Sequence, residues 1–294
     1  MNNMRIEIEN LGYNYRKSHI QALEGVTAVI NPGIHLLLGE NGSGKTTLLQ
    51  IIDGLRFPTQ GKCMVDGVDT TERCPAEMAR VAYLGTDMVF PAKNIAGMVR
   101  THAPFYPGFS YEMLRTNLEA FNISDRTPLS SLSSGNMRKA QVAYMLALQT
   151  DVLLLDEPAN AMDIDSRIEL QKMILRCMRP GQIIIVSTHT VSDLENLYDG
   201  LIMLKGGKMV LNESTSHISA ALAFTITNLR PEKALHAELY GGHWHAMLRL
   251  EPGMASTEPD YTLLYRAMRS ENAGTVAEVL ENAVEKETEE DGKE

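Results

Sequence analysis

Gly39-Glu40-Asn41-Gly42-Ser43-Gly44-Lys45-Thr46, with Thr47 directly behind, has the spacing of a loop that cradles phosphate. Glycines let successive backbone N–H groups curl around phosphate oxygens, and a helix that starts at Lys45 would add its positive end. Lys45 would reach the outer phosphates and Thr46 would offer an oxygen to Mg²⁺. A second constellation is Val152-Leu153-Leu154-Leu155-Asp156-Glu157, an apolar strand that ends in two carboxylates. Neighbouring strand residues point to opposite sides, so Asp156 can serve a metal shell while Glu157 faces an attacking water as general base. Ser187-Thr188-His189 ends another apolar run, which places His189 on the same sheet edge as a candidate phosphate sensor. Leu132-Ser133-Ser134-Gly135-Asn136 opens a helical stripe with hydroxyls and no carboxylate, a favourable setting for an anion.

These residues need a frame. Ile34 to Leu38 is an apolar run ahead of the Gly-rich loop, and Leu48, Ile51, Ile52 and Leu55 behind it repeat at helical spacing. Strand, loop and helix make half of a parallel α/β unit. Val152 to Leu155 and Ile183 to Val186 are short runs of the kind buried on both faces of a parallel sheet, with a helical stripe from Leu170 to Met178 between them. Asp66-Gly67 and Gly206-Gly207 sit where two hairpins turn. Residues 88–150 are expected to be mainly helical, 215–284 to hold mixed strand and helix, and the acidic 285–294 to be a disordered tail.

Composition narrows the partners. Lys and Arg number 27 against 37 Asp and Glu, a net charge of −10 that argues against a general nucleic-acid binder. No apolar run is long enough to span a bilayer, and Met1 to Asn10 alternates charged and apolar residues without a signal-peptide core. Cys63, Cys74 and Cys177 lack metal-ligand spacing, which fits a reducing cytoplasm. His243 and His245 share a strand face but have no evident third ligand, so they are expected to be surface or packing residues.

Together these motifs resemble the ATP-binding subunit of an ABC transporter over residues 5–215. The loop at 39–46 is similar to Walker A, and 152–157 to Walker B with its following Glu. Residues 132–136 resemble the signature LSGGQ, with Ser134 and Asn136 as small polar departures; 158–163, ending in Asp163, resembles the D-loop, and His189 holds the H-loop position. Tyr15 falls where the family stacks an aromatic ring on adenine. Tyr83-Leu84-Gly85-Thr86-Asp87 stands where the family has a strand ending in Gln, so Thr86 or Asp87 fills that slot, with Asp87 as a weak candidate for the metal. The short helical segment around Phe105-Tyr106-Pro107-Gly108-Phe109 looks more like exporter subunits than importers.

The resemblance implies a P-loop NTPase core with a mostly parallel sheet, an antiparallel β subdomain and a helical signature subdomain, spanning 1–214, followed by a small α+β appendage at 215–284. It implies ATP and Mg²⁺ as ligands. It also implies a homodimer or heterodimer in which Ser133, Ser134 and Gly135 act on the partner's nucleotide, and a separate integral membrane subunit. The chain would then sit at the cytoplasmic face of a membrane and bind no nucleic acid. The competing expectation is a soluble ABC ATPase acting on ribosomes or DNA. Against it stand the single ATPase module, the lack of long heptad coiled coils and the acidic charge.

Overall fold

The computed structural model describes residues 4–16, 20–189 and 197–291, with side chains up to residue 283. Strand β1 (Ile6–Asn14) pairs antiparallel with β2 (Gln21–Ile30). Strand β3 (Gly33–Gly39) leads through the Gly-rich loop into helix α1 (Lys45–Ile52). Strands β4 (Gln60–Val65) and β5 (Val68–Asp69) return to the first sheet, whose order is β2-β1-β4-β5. Their turn, Asp66-Gly67, carries φ of 52° and 81°, the left-handed pair that a tight hairpin needs.

A short α2 (Pro75–Met78) precedes β6 (Val81–Leu84), and then come α3 (Ile95–Thr101), α4 (Tyr111–Ala120) and α5 (Ser134–Ala147). Ser110 and Ser133 cap α4 and α5 through their side-chain oxygens. The chain re-enters the sheet as β7 (Val152–Asp156), crosses as α6 (Ile164–Cys177) and returns as β8 (Ile183–Thr188). The hairpin β9 (Gly200–Lys205) and β10 (Lys208–Ser214) closes the central sheet, in the order β10-β9-β3-β8-β7-β6. All its neighbours are parallel except β10 with β9.

Alternation along these strands decides what meets at the site. Leu36, Leu38, Leu153, Leu155, Ile184 and Val186 enter the core on the side of α5 and α6. Leu37, Val152, Leu154, Ile183, Ile185 and Tyr83 enter the other core, with α1 and the antiparallel sheet. Both faces are covered, which is why these strands are uniformly apolar. On α1, Leu48, Leu49, Ile51 and Ile52 are at most 1% exposed. Each such side chain contributes roughly 1.5–3 kcal/mol of burial, which pins the phosphate loop to the sheet.

Beyond residue 214 lie α7 (Thr215–Ala221) and a three-stranded antiparallel sheet in the order β11-β13-β12 (Leu222–Thr227, His243–Arg249, His236–Tyr240). Helices α8 (Tyr261–Arg269) and α9 (Ala273–Asp291) follow. This region does not form a separate core: Ile218, Leu222, Met247, Leu264, Met268, Val276 and Leu280 join the cluster that contains α5, α6 and the central sheet. Helix α9 runs through Asp291, into the segment 285–294 read from the sequence as an acidic tail. Its first two turns are packed into the core through Val276 and Leu280, and Glu, Lys and Ala are good helix formers. Residues 292–294 lie outside the described residues. Among the described residues no helix is long and apolar enough to cross a membrane.

Candidate nucleotide site

The Gly-rich loop leaves β3 at the edge of the sheet where its strands end, the place where open α/β sheets hold ligands. Gly44 caps α1 with φ of +106°, and a Cβ there would lie 2.5 Å from the Ala22 carbonyl oxygen, so only glycine fits. No side chain caps α1 and its first turn has no acid, which leaves its N–H groups open to an anion. Lys45 is buried, and its Nζ donates to the carbonyls of Gly39 at 2.6 Å and Glu40 at 3.1 Å. Burial lowers its pKa, while the carboxylates Glu157 and Asp156 oppose that shift. The Ser43 hydroxyl is buried without a hydrogen-bond partner, an orphaned polar atom inside the loop. Asn41 and Gly42 are exposed at its tip.

The sides of the strands assemble the acidic centre. Asp156 follows Leu154 on the α1 side of β7 and is 1% exposed. Its Oδ2 accepts from Thr46 Oγ1 at 2.7 Å and from the Tyr83 hydroxyl at 3.3 Å, and its Oδ1 accepts from Ser187 Oγ. Ser187 is the register partner of Asp156 on β8, and Tyr83 points to the same side from β6. The paired hydroxyl of Thr46 and carboxylate of Asp156 are hard oxygen donors of the kind Mg²⁺ takes together with phosphates and water.

Glu157 leaves the strand with φ of +50°, a left-handed conformation that costs a non-glycine residue strain. Its N–H donates to Ser187, and its Oε1 lies 2.9 Å from His189 Nδ1. The two carboxylates therefore face different partners, Asp156 toward Thr46 and Glu157 toward His189. Thr86 and Asp87 lie in an exposed turn after β6 and make no hydrogen bond to any described residue. The positions around Asp156 are instead filled by Tyr83 and Ser187. Asp87 makes no hydrogen bond to Asp156 in this structure.

Arg138 was not legible in the sequence. Buried on α5, it donates to the Gly85 carbonyl at 2.8 Å and to the carbonyl of Asp156, and so joins the signature helix to the ends of β6 and β7. Burial lowers its pKa and Asp156 opposes that shift. Nothing in local spacing separates Arg138 from an ordinary helix-surface arginine. Tyr83 and Ser187 were accessible through strand alternation once the sheet register was known.

The signature residues face outward. Ser133 and Ser134 are exposed, Ser133 Oγ accepts from Asn136 N at 3.2 Å, and no hydrogen bond joins them to residues 39–46. Gly135 lies against the segment after Glu157: a Cβ there would sit 2.6 Å from the Ala161 carbonyl oxygen. Gly135→Ala must therefore push backbone against backbone, with Ala161 already at φ +61°. A loss of about 1–3 kcal/mol is expected from such overpacking. Thermal denaturation checks it, and an unchanged melting temperature would count against this packing.

Asp163 caps α6, accepting from Ser166 N at 2.8 Å and Ser166 Oγ at 2.6 Å, and Lys139 Nζ lies 3.3 Å from its other oxygen. These bonds, Ser166 first, hold its pKa at about 2. The Tyr15 hydroxyl bonds Thr47 Oγ1 at 3.0 Å, and the Arg56 guanidinium stands 4.8 Å from the Tyr15 ring centroid beside the phosphate loop. His243 lies 3.1 Å from Asn228 and His245 stands 3.9 Å from Asp260, both within the C-terminal sheet region and away from the carboxylate pair.

The family model described as "ABC transporter" matches residues 23–160. The energy-coupling factor transporter ATP-binding protein EcfA2 of Streptococcus sanguinis is 31% identical over 239 residues, which cover 75% of this chain and 85% of that protein. The solved structure of a putative cobalt transport ATP-binding protein aligns with a TM-score of 0.64 at 24% identity, over 85% of this chain and 94% of that one. The ATP-binding cassette MJ0796, solved as a dimer in a post-hydrolysis state with ADP and Pi, aligns with a TM-score of 0.59 at 23% identity, over 71% of this chain and 98% of that one.

Proposed function

The chain belongs to the family of ABC transporter ATP-binding subunits, and from that premise we propose which of its residues bind and hydrolyse ATP and which surface a second subunit completes. It is an ATPase that powers transport through a separate membrane component. The observation that carries the residue assignments is the division of the strand-end carboxylates, Asp156 with Thr46 and Glu157 with His189.

Residues 39–47 hold the phosphates: Lys45 exchanges its carbonyl contacts for the β- and γ-phosphates, and the buried Ser43 hydroxyl and the N–H groups of α1 complete the cradle. Thr46 and Asp156 would hold Mg²⁺, which when bound neutralises charge on the transferring phosphate. Glu157 takes the proton from the attacking water, and His189 fixes the orientation of its carboxylate. Tyr15 offers the ring on which adenine stacks, with Arg56 as its cationic neighbour. Ser133 and Ser134, exposed and without a hydrogen bond to residues 39–46, and the half-buried Gly135 complete the site of a second ATP-binding subunit, and Asp163 stands at the same junction. That the ATP-binding cassette MJ0796, of the same fold, was solved as a dimer with ADP and Pi is in keeping with a two-subunit assembly.

The membrane partner is an integral transport subunit, which places this chain on the cytoplasmic face. The exporter-like reading of residues 105–109 gains no support from the transporter relatives, and the direction of transport is left to the membrane subunit. Purification of the native complex in mild detergent is expected to recover a polytopic membrane protein with this chain. Recovery with ribosomes or DNA, and with no membrane protein, would favour the soluble ABC ATPase instead.

A further inference from the structure

The first residue of the phosphate loop after Gly39 is held from the far end of the chain. Arg269, in the last turn of α8, forms an ion pair with the Glu40 carboxylate across 229 residues of sequence. Glu40 is no peripheral residue: its carbonyl accepts from Lys45 Nζ and from Ser43 N, both of the same loop. Its carboxylate adds a negative charge at the mouth of a site that must attract a polyanion.

The helix that carries Arg269 is firmly seated. Leu264, Ala267 and Met268 are buried in the main core, and the Tyr261 hydroxyl lies 2.9 Å from Thr215 Oγ1, which in turn donates to the Tyr198 carbonyl. At the other end Lys205 Nζ donates to the Arg269 carbonyl, and the guanidinium lies 5.3 Å from the Tyr265 ring centroid. Tyr265, Met268 and Arg269 pack over Leu204 and Lys205 at the end of β9, directly beside Glu40. The C-terminal region thus reaches the nucleotide loop through the Arg269 side chain on a fixed helix.

We propose that Arg269 is a positioning residue for the nucleotide: it neutralises Glu40 and tethers the phosphate loop to the C-terminal region, so that this region sets the affinity for MgATP. The proposal rests on the nucleotide reading of residues 39–47. An unpaired Glu40 would repel the phosphates and loosen the carbonyl that holds Lys45, whereas the chemistry at Glu157 would be untouched. The effect therefore belongs in binding rather than in turnover.

The test is a double-mutant cycle on the full chain, with MgATP affinity, KM and kcat read for Arg269→Ala, Arg269→Lys, Glu40→Ala and the Glu40→Ala/Arg269→Ala pair. Arg269→Ala is expected to weaken MgATP binding and raise KM about two- to five-fold at low salt with kcat unchanged, the range a half-exposed ion pair delivers. Arg269→Lys should restore most of the affinity. Removing Arg269 should have no further effect once Glu40 is gone. The difference between wild type and Arg269→Ala should vanish near about 1 M KCl, where such a pair is screened. An equal affinity of Arg269→Ala and wild type would overturn the proposal, as would a loss that persists in the Glu40→Ala background or at high salt. A wild type that fails to bind MgATP at all would instead overturn the nucleotide reading beneath it.

Discussion

Glu157→Gln is expected to bind MgATP as the wild type does and to hydrolyse it about 10²–10⁴-fold more slowly, the usual worth of a general base. The substitution keeps the size of the side chain and a carbonyl oxygen where His189 Nδ1 now lies 2.9 Å away. It removes only the capacity to take a proton from water. Asp156 keeps its bonds from Thr46, Tyr83 and Ser187, so the phosphate and metal side of the site stays intact. With hydrolysis blocked, the ATP-bound dimer should accumulate, and size-exclusion chromatography with MgATP should show a shift that the wild type lacks. ATPase activity near the wild-type level in a well-folded Glu157→Gln protein would remove Glu157 from the mechanism. If Glu157 only supported the loop before Pro158, the variant would lose stability rather than turnover.

Lys45→Ala is expected to abolish turnover by a different route, through loss of binding. Burial already lowers the pKa of Lys45, so folding disfavours its charged form. The sign follows: with the folded pKa below that of the unfolded chain, the penalty is fully present at neutral pH. It is relieved only as pH rises through the folded value. Removing the charge removes that penalty, which offsets the lost contacts to the Gly39 and Glu40 carbonyls. The nucleotide-free melting temperature should therefore stay close to that of the wild type. Ligand stabilisation should not survive: at a hundredfold excess over Kd the wild type gains about 2.7 kcal/mol, and the variant should gain none. Thermal shift with and without MgATP reads both quantities at once. A variant that melts far lower without nucleotide would mean that Lys45 serves the fold, and one that keeps the MgATP shift would mean that another residue holds the phosphates.

Much of this site is local and therefore legible in order along the chain. The phosphate loop needs Gly39, Gly44, Lys45 and Thr46 within one turn between a strand and a helix, and that spacing alone specifies the chemistry. The carboxylate pair at the end of β7 and His189 after β8 follow from apolar runs that can only be strands buried on both faces. Residues 83–87 show where local reading stops. The resemblance left the slot between Thr86 and Asp87, both exposed in the turn after β6, whereas Tyr83, on the α1 side of the sheet, donates to Asp156. The C-terminal region carried too little periodic pattern to place, yet its apolar residues close one side of the ATPase core.

The sequence by itself determined the elements and their chemical endings, because glycine turns, capping residues and strand or helix periods act within a few residues. Tertiary structure alone decided the company those endings keep. It set Tyr83 and Ser187 on Asp156 through sheet register and side, joined Arg138 to Gly85 and Asp156 across the helical subdomain, and carried Arg269 to Glu40. Such contacts depend on which elements pack together, and packing is fixed by the burial of whole faces rather than by the spacing of any one segment.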